Sequence, residues 1–325
     1  MRQSGAKTGA DAGSTGAGCP DLGCPDAGRI TVVIPHLNQP GMLARCLASL
    51  AAGQRRADAI IVVDNGSATL PAAICAAHPQ VQLLQEPTPG PGPARNLGVA
   101  ASTGAILAFI DADCLAAPDW LAAAEAAMAD PAVTILGGDV RIAHADPARL
   151  TMLEAYESIY AYRMDRYIAR EGFTGTGNLV VRRAVLAAVG PFAGIGVAED
   201  RDWGRRATAK GYRIRYVAGL KVYHPARKDF EELRRKWRRQ TAHDFADALA
   251  EPFGRVKWAL KMLAMSLSPL GELPRVLLSD RVRGLRNRAL ALLCLARIRL
   301  YRAGLMVWLL CGGNPDRLSA QWNRA

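Results

Sequence analysis

Two aspartates, Asp111 and Asp113, stand one residue apart just after a six-residue apolar run, "AILAFI" (105–110). A lone buried carboxylate is costly unless it is paired or binds a metal. At the end of a core strand, a D-x-D pair therefore suits a hard divalent cation with oxygen ligands, Mg2+ or Mn2+. Other groups carry matching chemistry. Asp64 closes a second apolar run, "AIIVVD" (59–64). Arg95 and Asn96 follow a Pro/Gly loop, "PTPGPGP" (87–93), where helix amides and a guanidinium favour an anion. Downstream, Glu199, Asp200 and Asp202 crowd into one short stretch. A carboxylate that deprotonates an attacking hydroxyl is the further group such a site needs, and Asp200 or Glu199 would serve. Plainer readings exist. Asp64 could make an Asx-turn ahead of Gly66, Arg95 could be a surface helix residue, and the acids could complement a helix dipole. Taken together, the set describes metal, anion and base-plus-ribose contacts, a nucleotide diphosphate site.

The elements that must position these groups alternate. "RITVVIP" (29–35) is rich in β-branched residues and reads as a strand. "NQPG" (38–41) then starts a helix, with Asn38 as expected N-cap and Pro40 in the first turn. Leu43, Cys46, Leu47 and Leu50 repeat at helical spacing. "AIIVVDNGS", "VQLLQE" and "AILAFI" follow as strands, with helical stretches between them. This order predicts an α/β fold, a mostly parallel sheet with helices on both faces. Ligands in such sheets bind at the carboxyl ends of the strands, where Pro35, Asp64 and Asp111 all stand.

The net charge of +12 is unevenly placed. From Arg234 onward there are 18 Lys/Arg and 6 Asp/Glu, so the whole excess sits in that tail. The tail also holds the apolar runs 256–271 and 289–313, a combination that favours an anionic membrane surface over nucleic acid. Arg297, Arg299 and Arg302 interrupt the second run, and each would cost about 2.5–3.5 kcal/mol at a bilayer centre. The tail is therefore expected to lie on a membrane, with a basic hairpin packed on the catalytic domain as the alternative. The first 28 residues, rich in Gly, Ala, Ser and Asp, read as a disordered leader without the apolar stretch of a signal peptide. Cys19 and Cys24 lack metal-site spacing, and the other cysteines sit in apolar contexts, as in a reduced cytosolic protein. The expected units are thus a leader (1–28), a catalytic domain (29–250) and a basic apolar helical tail (251–325).

The chain from about 29 to 245 resembles the family 2 glycosyltransferases of the GT-A fold. The pieces "VVIPHLNQPGMLARCLASL", "IIVVDNGS", "GPARNLGVAASTGAILAFIDADC", "GTGNLVVRRAVLAAVGPF", "AEDRDW" and "GYRIRYVAGLKVYH" stand in family order. The resemblance implies a nucleotide-binding, mixed but mostly parallel sheet with flanking helices. It assigns Pro35 and Asp64 to the nucleotide, with Asp64 at the base, Arg95 near base and diphosphate, and Asp111 facing the ribose. Asp113 is implied as metal ligand, His224 as a strand-end histidine at metal or diphosphate, and Asp200 as catalytic base. Asn178, Glu199, Asp202 and Trp203 are expected to border the acceptor or donor sugar. The implied reaction is inverting transfer of one sugar from a nucleotide-diphosphate sugar, UDP favoured, to a hydroxyl of a lipid-linked or cell-surface glycan precursor. The implied place is the cytoplasmic face of the inner membrane. "RRKWRRQ" (234–240) lacks the Q-x-x-R-W signature of the family's processive synthases, which favours single-sugar transfer. A sugar-1-phosphate nucleotidyltransferase would need basic residues in "PHLNQPG", and a catalytically dead scaffold would be expected to lack Asp113 or Asp200.

Overall fold

The computed structural model describes residues 28–250 and 252–315. All of the expected leader but Gly28, with Cys19 and Cys24, lies outside the described residues. The first half alternates as anticipated: β1 (Ile30–His36), α1 (Pro40–Ala51), β2 (Ala59–Asp64), α2 (Ala72–Ala76), β3 (Val81–Gln85), α3 (Pro91–Ala101) and β4 (Ile106–Ile110). Strands β1, β2 and β4 are buried almost throughout, as strands covered on both faces must be. Helix α1 buries the predicted stripe Leu43, Cys46, Leu47 and Leu50. Its start differs from expectation. The N-cap is Gln39, without a side-chain cap, because Asn38 sits at φ +52° and turns its Oδ1 to the Ala68 N–H instead. Asn38 thus ties the end of β1 to the loop after β2. Helix α3 lies so close to the sheet that a Cβ on Gly98 would come within 2.4 Å of Val33.

The chain continues through β5 (Leu115–Ala116), α4 (Trp120–Met128), β6 (Ile135–Ala143), α5 (Met152–Tyr160) and α6 (Met164–Glu171). It then forms β7 (Asn178–Arg182), α7 (Arg183–Val189), α8 (Glu199–Ala209) and β8 (Ile214–Pro225). The eight strands form one sheet in the order β3-β2-β1-β4-β7-β6-β8-β5. The β3-β2-β1-β4 half and the β6–β8 pair are parallel. Strand β7 runs antiparallel between β4 and β6, and β5 antiparallel beside β8. The topology brings the carboxyl ends of β1, β2, β4, β6 and β8 and the start of β7 to one rim. Buried Asn178 locks this junction: its side chain accepts from Trp120 Nε1 and donates to the Asp139 and Leu220 carbonyls.

Four helices complete the described residues: α9 (Phe230–Leu249), α10 (Gly254–Gly271), α11 (Leu273–Leu277) and α12 (Leu285–Leu310). Helix α12 packs along α5, sharing one apolar cluster through Ala155, Ile159 and Ala291 and another through Tyr156, Cys294 and Ile298. Arg281 reaches back to buried Asp139 of β6. Helix α10 forms an outer layer on α9 and α12, around Phe245, Trp258 and Met306. Its outward stripe, Val256, Leu260, Leu263, Leu267 and Leu270, is 54–70% exposed. Among the described residues no helix is long and apolar enough to cross a membrane.

Candidate active site

A cavity of about 700 Å3 opens at the rim, lined among others by Arg95, Asp111, Asn178, Glu199, Asp200 and His224. Arg95 organises it. Its buried guanidinium donates from one nitrogen to Asp111 at 2.7 Å and from another to Glu199 at 2.8 Å. It thereby ties the end of β4 to the first turn of α8, elements far apart in sequence. Asp200, next to Glu199, is carried to the same cavity. Its carboxyl stands above the usual carboxylate range, first because burial disfavours the charge. The Arg201 amide donates to it at 2.7 Å and limits the rise.

The D-x-D carboxylates lie together. Asp111, Asp113 and the Cys114 sulfur could offer ligand atoms within 4.8 Å of one another. Burial raises the Asp113 pKa, with Asp111 adding to the rise and His224 opposing it. Burial also pushes the Cys114 thiol far up, so it stays neutral and a poor ligand for a hard cation. His224 Nδ1 meets the Pro225 carbonyl at 2.7 Å, so Nδ1 carries a proton. Nε2 faces Asp113 at 3.4 Å. The donor set, two carboxylates and an imidazole, thus fits a divalent cation. Gly177 keeps the place open, since a Cβ there would come within 2.5 Å of Asp111 Oδ2.

Other assigned residues have different surroundings. Pro35 pairs with Val63 near the ends of β1 and β2. Asp64 is buried and turned inward, receiving His36 Nδ1 at 2.8 Å and the hydroxyl and amide of Ser67. Burial works to raise its pKa, but these bonds together hold it below the usual range. Trp203 does not reach the cavity. It is 1% exposed, packs on Phe192, and donates to the Gly190 carbonyl. Asp202 also turns away, pairing with Arg206 one helical turn on. Asp202, two residues past Asp200, takes the far side of the helix from it, whereas Trp203, one turn past Glu199, shares that face but lies in the core.

Three residues at the rim escape a sequence reading. His36 is buried, and its Nε2 accepts the Gln39 amide while Nδ1 serves Asp64. Asn65 stitches the loops, donating to the Glu86 and Thr88 carbonyls and accepting from the Gly90 amide. Its place in "DNGS" was the only signal. Tyr162, at φ +48°, stacks on His224 and places its hydroxyl 3.1 Å from Nε2. Nothing in its local sequence marks it.

A family model described as "Glycosyl transferase family 2" matches residues 31–190. Glycosyltransferase AglE of Haloferax volcanii is 30% identical over 217 residues, 64% of this chain and 71% of that protein. The chain belongs to glycosyltransferase family 2. A pre-mycofactocin glycosyltransferase of Mycobacterium tuberculosis is 28% identical over 215 residues, 61% of this chain and 43% of that one. Among solved structures, the mannosyltransferase PcManGT of Pyrobaculum calidifontis, in complex with GDP-Man and Mn2+, superposes with a TM-score of 0.55 at 19% identity. That match covers 91% of this chain and 88% of the other. TarS 1–349 of S. aureus, in complex with UDP-GlcNAc, gives 0.50 at 15% identity over 91% and 93%. The fold of this family 2 glycosyltransferase is therefore of the GT-A type, and the chain is a transferase.

Proposed function

We propose that the enzyme is an inverting transferase that moves one sugar from a nucleotide-diphosphate sugar, UDP favoured, to a hydroxyl of a lipid-linked or cell-surface glycan precursor. The observation that carries this is the Arg95 bridge, which joins Asp111 of the D-x-D to Glu199, beside the candidate base Asp200, in one cavity. In the reaction, the acceptor proton passes to the Asp200 carboxylate as the acceptor oxygen attacks the anomeric carbon. The bond to the diphosphate breaks with its electron pair on the leaving group, and a single displacement inverts the centre. Arg95 acts as a positioning residue, holding Asp111 and Glu199 from behind. Asp64, His36 and Asn65 fix the loops that would wall the base. Asp111, Asp113 and His224 would hold Mg2+ or Mn2+. When bound, the cation supplies positive charge to the leaving diphosphate.

The test is release of free nucleoside diphosphate from a panel of UDP-, GDP- and dTDP-sugars, with and without Mn2+. Release with no donor in the panel, by a folded and metal-supplied protein, would reject the transferase chemistry proposed here. Pyrophosphate formed from a nucleoside triphosphate and a sugar phosphate would point to nucleotidyl transfer instead.

The same proposal places the enzyme on the cytoplasmic face of a membrane, with α10 and its neighbours as a surface-seeking layer distinct from the catalytic unit. The α10 stripe, with Lys257 and Lys261 on the same helix, combines apolar area with positive charge. The full chain is expected to sediment with phosphatidylglycerol vesicles at low salt, less at high salt, and weakly with neutral vesicles. Leu260→Asp with Leu267→Asp should lower the bound fraction at least tenfold, since each leucine contributes about 1.5–3 kcal/mol when fully buried. Unchanged sedimentation of the double variant would show that the stripe is not the contact.

A further inference from the structure

Beside the catalytic cavity lies a smaller crevice of about 240 Å3, bounded by α5, α9 and α12. Tyr160, Ala161, Tyr167, Arg227 and Lys236 line both, so the two are continuous. The crevice is strongly cationic. Arg227, Lys236, Arg299 and Arg302 face it, against one acid, Glu157. That carboxylate is already taken by the Arg227 guanidinium and main-chain amide. Arg302 is only 9% exposed, lies flat on the Trp237 ring at 4.0 Å, and has its nearest carboxylate, Asp244, 3.8 Å away. Asp244 also serves Lys261. Two buried donors, Arg302 Nε and Trp237 Nε1, have no hydrogen-bond partner among the described residues, and both residues line this crevice. Burial, Arg227 and Arg302 together lower the Lys236 pKa. Like charges gathered in a half-dry crevice, with orphan donors, are stable when an anion joins them.

The geometry points to an anion subsite here: we infer that the acceptor bears a phosphate or diphosphate, which this crevice binds while the acceptor hydroxyl stands beside Asp200. This deepens the proposed transfer reaction and rests on it. The crevice is below the usual size of a whole small-molecule pocket, about 300–1,000 Å3, and suits a phosphate group with its remaining chain outside. Arginine guanidinium groups recognise such oxygens in pairs, and the stack on Trp237 holds one of them ready.

The test uses the full chain, without metal, titrated with inorganic pyrophosphate by calorimetry. Pyrophosphate should bind, and Arg299→Gln should weaken it at least tenfold while leaving UDP–Mn2+ affinity unchanged. Arg302→Gln, a residue that lines the crevice and not the catalytic cavity, provides a second variant should Arg299→Gln melt early. Saturating UDP–Mn2+ should not displace the pyrophosphate. Displacement by UDP, or binding indifferent to both variants, would put the anion in the donor site and overturn the inference. A parallel arm with phosphatidylglycerol vesicles separates diphosphate from lipid headgroup: Arg299→Gln should alter the first arm and spare the second. Loss confined to vesicles would overturn the acceptor assignment. Failure of UDP–Mn2+ to bind at all would instead refute the donor reading, which the pyrophosphate arm does not depend on.

Discussion

Asp200→Asn should bind donor nucleotide as tightly as the parent enzyme yet turn over about 10²–10⁴-fold more slowly, the usual worth of a general base. The carboxyl lies in the cavity but outside the D-x-D group, so its loss removes proton transfer and leaves metal and nucleotide contacts in place. A pH profile adds a second check. Because burial raises the Asp200 pKa, the acid limb of kcat/KM should fall at a pH above the ordinary carboxylate value of 3.8. A raised carboxyl pKa means that the folded state loses stability as pH rises through it, so the asparagine variant should melt no lower than the parent at neutral pH. Equal losses of donor affinity and turnover would make Asp200 a structural residue instead.

Asp113→Asn should abolish metal-dependent nucleotide binding while the metal-free protein becomes more stable. Burial and the neighbouring Asp111 hold the Asp113 pKa up, so the ionised carboxylate costs the empty site free energy at neutral pH. The sign follows: that cost is absent below the unfolded-state pKa and appears as pH rises through the raised one. An asparagine removes the charge, and we expect the metal-free variant to melt at a higher temperature than the parent at neutral pH. Calorimetry with UDP and Mn2+ reads the first effect and thermal unfolding with chelator the second. Retained Mn2+-dependent UDP affinity in the folded variant would remove Asp113 from the metal site.

What the sequence revealed was whatever depends on neighbours along the chain. Apolar runs of five or six residues ending in Asp64 and in Asp111 marked both β-strands and their rim, because a buried strand has no polar residue to spare. The positions that escaped depend on partners distant in sequence. Arg95 read as a ligand for the diphosphate, whereas it is buried against Asp111 and Glu199, the latter 104 residues on. His36 became legible only through β1–β2 register, which sets it against Asp64. Tyr162 required a left-handed backbone beside His224 that no local propensity favours. Trp203 was misread for the opposite reason. Its sequence neighbours are catalytic candidates and share its helix face, but one turn farther along α8 that face packs on Phe192 in the core. For the tail, a membrane surface and packing on the catalytic layer looked like alternatives. The structure separates the two runs: α12 packs on α5, while α10 keeps its stripe outside.

If α10 seats the enzyme at a lipid interface that carries its acceptor, as proposed, that outward stripe alters how acceptor supply must be reckoned. An enzyme seated by α10 at a lipid interface searches in two dimensions, so its saturation follows the mole fraction of acceptor in the bilayer rather than its amount per volume. Adding inert lipid at constant total acceptor should then slow the reaction, whereas concentrating the whole suspension should leave the rate per bound enzyme unchanged. Loss of the stripe would turn the same catalyst into one limited by encounter from bulk water, with Asp200 and its surroundings untouched.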